Sequence, residues 1–176
     1  MITRMIRAAR LDSSLYEMVE TDSSYTRESA IVVLLASAAG GLGLMLSQGQ
    51  SVKSLVVGII ATFISWLVWS GITLLIGTRV TKGPQTESNM GEMLRVLGYA
   101  HTPRLLSLFV FIPLLGPALV FVGAVWSLSA AIVAIRQALD FGTGRAVVTV
   151  LLGWIVILLI NVVTMGLLGI RPGAGA

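Results

Sequence analysis

Leu94-Arg95-Val96-Leu97-Gly98-Tyr99-Ala100-His101-Thr102-Pro103-Arg104 leads into an uncharged run from Leu105 to Ile135 that contains Pro113, Gly116 and Pro117. The fold turns on how this stretch meets a membrane. Its 31 uncharged residues would form a helix of about 47 Å, too long for one crossing of a ~30 Å hydrocarbon core. Two full crossings need about 40 residues, so the run is also too short for two. Gly116-Pro117 supplies a break, with proline at the first position of the next helix. Residues 117–135 then make an ordinary span, whereas residues 105–115 cover only about 16 Å. Either this first piece recruits residues back to Tyr99, kinked at Pro103 and Pro113, or it is re-entrant.

The segment before it is the longest polar connection between spans, residues 79–104. Asn89 with Glu92 three residues on matches a capping box, and Met90, Met93, Leu94 and Leu97 recur at helical spacing. A short amphipathic helix is expected over residues 90–100, ending before Pro103. From its two ends Arg95 and Arg104 can reach lipid headgroups.

The other spans are simpler. The uncharged run 29–52, apolar at 30–46, is rich in small residues, among them Gly40, Gly41 and Gly43. Such residues let helices approach closely in lipid, where there is no hydrophobic drive between them. A phosphate loop at Gly40–Gly43 is a poor match, with no preceding strand and no Lys-Ser/Thr after it. Residues 54–78 form a second span, with Trp66 and Trp69 near its middle and expected to face other helices or a bound lipid. Arg136 to Arg145 is a short connection in which Gly142 or Gly144 is expected to cap the preceding helix. The last span is 146–170, followed by a tail of small residues, 171–176. At the start, Ile2, Met5, Ile6 and Ala9 fall at helical spacing, which reads as a basic amphipathic helix at a membrane surface. Leu15, Met18 and Val19 suggest further helical turns after a cap at Asp12 or Ser13. Ala36-Ser37-Ala38 imitates a signal cleavage site, but the apolar run before it is too short for a signal peptide.

Composition agrees with a membrane protein. The chain has 176 residues, 56% hydrophobic and 11% charged, against about 25% charged in soluble domains. The net charge of +4 fits loop lysines and arginines, and no basic stripe with interleaved aromatics suggests nucleic acid. The lack of cysteine removes disulfides, thiolate metal sites, palmitoylation and prenylation.

The positive charges set the topology. With five spans and the N-terminus inside, ten cations lie inside: Arg4, Arg7, Arg10, Arg27, Arg79, Lys82, Arg95, Arg104, Arg136 and Arg145. Only Lys53 and Arg171 lie outside. A re-entrant 105–115 would make the count nine to three, so five spans are preferred. The expectation is an all-α membrane protein with a cytoplasmic arm, 1–29, and one transmembrane domain, 30–170. Its spans are placed at about 30–47, 54–77, 99–115, 117–135 and 146–169, with short amphipathic interfacial helices and the C-terminus outside.

The span order, Leu97-Gly98-Tyr99 entering the third span, Trp126 in the fourth, and Arg136 followed by Phe141-Gly142-Thr143-Gly144-Arg145-Ala146 resemble the bacterial branch of the Yip (Ypt-interacting protein) domain. Leu11-Asp12-Ser13-Ser14-Leu15-Tyr16-Glu17 is similar to the arm preceding that domain. The resemblance implies five transmembrane helices and a cytoplasmic N-terminus. Eukaryotic members are associated with Rab-type GTPases and with shaping or trafficking of secretory membranes. This chain departs from them in its short arm and in having no Asp-Leu-Tyr-Gly-Pro motif, so the resemblance does not carry GTPase binding over.

No acid lies inside any span and only one histidine is present, so no acid/base pair or metal cluster is available at membrane depth. An enzyme is not expected, nor a cofactor or metal. His101 is the sole candidate axial ligand for a haem or pigment, and suits an interfacial position better. Arg95, Arg104, Tyr99 and Trp126 are the candidate contacts to lipid or a partner. Gly40, Gly41, Gly43, Gly123, Ser127 and Asn161 are the candidate helix-packing residues, Asn161 with Thr164 acting as interhelical glue. The expected function is a non-catalytic scaffold or accessory subunit of the plasma membrane, packing through small-residue faces against itself or a larger complex. The alternatives are a transporter component with a site at the broken helices of Pro113–Pro117, or a lipid-binding, membrane-shaping protein.

Overall fold

A computed structural model describes the backbone of residues 1–167 and the side chains of residues 1–160. Asn161 and Thr164 therefore lie outside the described side chains, and Arg171 outside the described residues.

Every regular element among the described residues is helical. Two short helices, α1 (Ile2–Ala9) and α2 (Ser13–Thr21), precede α3 (Tyr25–Gln48) and α4 (Val52–Arg79). Then come α5 (Met90–Ala100), the 3₁₀ helix η1 (Thr102–Phe111), α6 (Leu115–Ala138) and α7 (Thr143–Leu167). Four of these, α3, α4, α6 and α7, are long and apolar enough to cross a membrane. They overrun the expected boundaries by a few residues where polar neighbours extend the helix. Ser51, for example, caps α4 by accepting from the backbone N–H of Ser54 at 3.2 Å. The turn before it is made by Gly49, whose left-handed φ of 64° ends α3 without Cβ strain.

The helix expected over 99–115 is not continuous. α5 starts as predicted, on a complete Asn89/Glu92 capping box, and stops at Ala100. Pro103 has no N–H and its ring disfavours α geometry in the residue before it. The backbone tightens instead to i→i+3 bonding, with His101 N donating to Gly98 O at 3.2 Å and Arg104 N to His101 O at 2.9 Å. A 3₁₀ helix rises about 2.0 Å per residue rather than 1.5 Å, so η1 covers about 20 Å and α5 about 16 Å. Most of the length that residues 105–115 lacked is supplied by α5, and about 5 Å by the change to 3₁₀ geometry.

Contacts along this segment fix its direction. Gly98 meets Ser29, near the start of α3, and Ser107 meets Gly40 and Gly43, near its end. α5 and η1 together thus run alongside α3 in the same sense. α6 returns antiparallel, with Gly116 against Val110 and Gly123 against Pro103. One pole of the bundle holds α1, α2, the start of α3 and the C-terminal ends of α4 and α6. The opposite pole holds the α3–α4 turn and the η1–α6 turn.

The tightest apolar packing lies at the first pole, where Leu15, Tyr16 and Val19 of α2 join Leu97 of α5 and Ile135 of α6, with Leu139 just past its end, in one cluster. Each such side chain contributes about 1.5–3 kcal/mol on burial. α1, expected as an amphipathic helix at a membrane surface, joins the same body through Met5 and Ala8 and leaves Ile2 and Ile6 exposed. After α6, Asp140 takes the left-handed φ of 48° where Gly142 or Gly144 was expected, a conformation that Asp tolerates better than most residues.

Close backbone approach makes Gly43 indispensable. A Cβ there would lie 2.5 Å from Ser107 O and 2.8 Å from Leu108 O, whereas one at Gly58 meets nothing within 4 Å. Gly43→Leu is expected to cost about 2–3 kcal/mol, read as a lowered thermal midpoint in detergent. Gly58→Leu should leave the midpoint unchanged.

Candidate functional site

The first pole is closed by a polar latch built on three helices. Glu28, in the first turn of α3, accepts from Arg4 Nε at 2.9 Å and Nη2 at 2.6 Å, and from Tyr99 OH at 2.5 Å. The N-terminal ammonium stands 3.7 Å away. A bidentate guanidinium–carboxylate pair is among the stronger charge-assisted contacts. Arg4 also stacks over the Tyr25 ring at 5.1 Å, and its hydrogen bond to Glu28 raises its pKa.

Both short helices have their C-terminal carbonyls capped from elsewhere. Arg95 reaches from α5 to the end of α2, donating through Nε to Val19 O at 2.7 Å, through Nη2 to Glu20 O, and through Nη1 to Thr26 Oγ1 at 3.4 Å. The last carbonyls of a helix lack intrahelical partners and carry negative partial charge, so a guanidinium suits them. α1 is treated the same way. Tyr16 OH donates to Ala8 O at 3.2 Å and Trp126 Nε1 to Ala9 O at 2.6 Å. Between the helices, the Asp12 carboxylate accepts from Ser14 and from Arg7 Nε, which lowers its pKa to about 2.

Glu20 is the strained member. Burial first, then the neighbouring Asp140, Glu92 and Glu17, raises its pKa to about 7, against the opposing pull of Arg95.

Beside the latch, a cleft of about 660 Å³ lies between α4, α5, α6 and α7. Its walls include Trp66, Trp69, Phe121 and Trp154, with Ser127, His101 and Arg104 as polar groups. His101 Nδ1 lies 2.8 Å from Leu97 O. A carbonyl only accepts, so Nδ1 carries the proton and Nε2 is the ring's remaining site. No group of three His, Asp, Glu or Cys side chains that could hold a metal occurs among the described residues.

A family model for the Yip1 domain matches residues 13–165. The chain belongs to the Yip1 domain family. Proteins of this family are generally non-catalytic membrane trafficking proteins. No curated protein and no solved structure matches the chain. The Yip1 domain begins at the first residue of α2, so α1, with Arg4 and Ala9, precedes the matched segment while being bonded into it.

Within this Yip1 domain the sequence-derived candidates separate. Arg95 was expected at the lipid headgroups and is instead 6% exposed, directed at α2. Tyr99 is fully buried on Glu28. Trp126 is partly exposed, yet its indole N–H is engaged by α1. Gly40, Gly43 and Gly123 lie against Ser107, the η1 backbone and Pro103, and Gly41 faces Leu55, so all four pack within the chain. Arg104, His101 and Ser127 share the cleft. The sequence reading used Arg4 only as a topological charge and missed Glu28, although an acid at the mouth of an apolar run calls for a partner.

Two outcomes follow for the latch. Arg95→Met should cost about 2–3 kcal/mol, since it strips charge-assisted bonds from buried carbonyls, and proteolysis at residues 22–24 should accelerate. For Glu20, a folded-state pKa above the ordinary value means that its stabilising contribution is complete at low pH and lost as pH rises through about 7. Glu20→Gln should therefore match the parent near pH 4 and exceed it by about 1 kcal/mol near pH 8, after allowance for solvent screening of a half-buried carboxyl. Thermal unfolding across that range reads the difference.

Proposed function

We propose that this Yip1-domain protein is a non-catalytic scaffold or accessory subunit of the cell membrane that crosses the bilayer five times, with its N-terminus in the cytoplasm and its C-terminus outside. The third crossing is α5 with η1. The two together are about 36 Å long, and their contacts extend from Ser29 to Gly43 along α3. The cations are distributed accordingly: Arg4, Arg7, Arg10, Arg27, Arg79, Lys82, Arg95, Arg136 and Arg145 belong to the latch pole and its connections, and Lys53 to the other. Such a bias orients a protein with the latch inside.

The observation that carries the scaffold reading is the division of labour among surfaces. The glycine faces of α3 and α6 are occupied within the chain, and the polar groups of the arm hold the arm shut. The outer face of α4 is left bare. Among the described residues, Val56, Val57, Ile60, Ile64 and Leu67 are exposed along it. Packing of α4 against a second copy or another subunit is the role this surface suits.

The chain has no cysteine, so one introduced thiol reports alone. Ile60→Cys, on that face, should give oxidative cross-links to a second copy or a co-purifying subunit, and the protein in mild detergent should exceed monomer mass. A monodisperse monomer with nothing bound would overturn the reading. For topology, Lys53 and a thiol at Gly142→Cys should be labelled from opposite sides of the membrane, and same-side labelling would sink the five-span arrangement.

A further inference from the structure

Arg104 presents an electrostatic problem that the described residues do not solve. Its backbone is engaged, with N donating to His101 O at 2.9 Å and the carbonyl accepting from Ser107 Oγ at 2.6 Å. Its guanidinium meets no acceptor among the described residues. It stands five residues beyond Tyr99, so about 9 Å further into the bundle than the Glu28 latch. Arg104 is exposed on the flank of the bundle, and where such a flank meets hydrocarbon an unpaired cation is costly and marks a functional site. The other arginine of this segment, Arg95, has three acceptors. The contrast is not a matter of residue type.

Arg104 lines the cleft between α4 and α6, whose volume of about 660 Å³ falls within the range of small-molecule sites. Two further polar groups in its wall are unsatisfied. Trp66 Nε1 and Ser127 Oγ have no hydrogen-bond partner among the described residues, as is also true of the Ser70, Thr73 and Ser88 hydroxyls away from the cleft, although Trp66 is only 4% exposed and Ser127 7%. A buried donor left without an acceptor costs about 1–3 kcal/mol. One cation and two neutral donors thus lack acceptors around a single cavity. The rest of the wall is apolar and aromatic, and Phe121 and Trp154, at 70% and 55% exposed, give it an open side on the apolar flank of the bundle.

We propose that this cleft binds one amphiphile with an anionic head, a phospholipid phosphodiester or a fatty-acid carboxylate. The head pairs with Arg104 and accepts from Ser127 and Trp66, and the acyl chain lies along Trp69, Phe121 and Trp154 toward the bilayer. The chemistry selects this class over its neighbours. A neutral lipid would fill the apolar wall and leave the guanidinium unpaired. A free anion would pair the guanidinium and leave the aromatic wall uncovered. The assignment goes beyond the scaffold role and needs no second copy, since the cleft lies within one chain, but it rests on the reading of η1 as part of a membrane crossing.

The test uses the full chain in neutral detergent and the fluorescence of its tryptophans, three of which line the cleft. Phosphatidylglycerol with brominated acyl chains should quench saturably at about one molecule per chain, and brominated phosphatidylcholine should need at least about ten-fold more. Brominated fatty acid is titrated alongside, and whichever anionic probe binds tighter identifies the source of the head. Arg104→Gln should reduce phosphatidylglycerol to the phosphatidylcholine level, Arg104→Lys should keep most of the preference, and Ser127→Ala should weaken it about three-fold. Arg79→Gln, which removes a cation outside the cleft, should change nothing. Equal quenching by charged and neutral lipids in the parent, or a preference that survives Arg104→Gln, overturns the proposal. So does displacement of the brominated probe by inorganic phosphate at equal concentration, since a free-anion site has no use for the chain. Should Arg104→Gln fail to fold, the Lys and Ala variants and the phosphate competition still decide.

Discussion

The governing constraint is that residues 90–111 must run the length of the bundle between α3 and α6 although Pro103 bars an undistorted α-helix from continuing through them. Pro103 interrupts α bonding, and the chain answers by changing pitch rather than by turning back. The 3₁₀ geometry of η1 lets its N–H groups find carbonyls three residues back and adds about 5 Å of length. The cost falls on the neighbours. A helix this slender is packed only if adjacent backbones come close, and Gly43 of α3 and Gly123 of α6 are where they do. Gly40, Gly43, Gly116 and Gly123 are thus explained by this one element, whereas Gly41, Gly77, Gly98 and Gly153 serve close contacts elsewhere in the bundle.

The second organising feature is the placement of arginines inside protein rather than at its edge. Arg95 is buried with its acceptors supplied by helix-end carbonyls, a neutral arrangement that avoids bringing a second full charge into the core. Arg4 has the opposite solution, a carboxylate partner close to solvent. The difference follows from depth. Near water a charge pair can be partly hydrated, whereas within the apolar cluster the partial charges of a helix terminus satisfy a guanidinium with less desolvation.

Much of the architecture was legible in the sequence because hydropathy and capping act locally. The four long helices, the Asn89/Glu92 box and the break near Pro103 are each determined by residues within a turn or two of the feature. The 3₁₀ pitch was not legible, since proline announces an interruption but not what replaces the α-helix. The latch was missed for a related reason. Arg4, Glu28 and Tyr99 are separated by 24 and 71 residues, and a charge count assigns each to a side of the membrane without pairing it. Arg95 looked like a headgroup anchor because its flanks are amphipathic, and only the docking of α2 turns it inward. In the cleft, Trp66 and Trp69 were rightly suspected of facing inward, but Arg104 and Ser127 become neighbours of theirs only once α5 and α6 have packed.

The capping of α2 by a side chain from α5 has a consequence for the arm as a cooperative unit. α1 and α2 have eight and nine residues, too few to persist as isolated helices in water. Their terminal carbonyls are satisfied by Tyr16, Trp126 and Arg95, so two of the three capping groups belong to the body of the bundle. Release of the arm would remove the caps and the apolar contacts together, and the freed segment would lose its helicity in the same event. Docking and folding of the first 21 residues are therefore one transition. The arm is either folded against the bundle or unstructured away from it, with no stable helical arm in between.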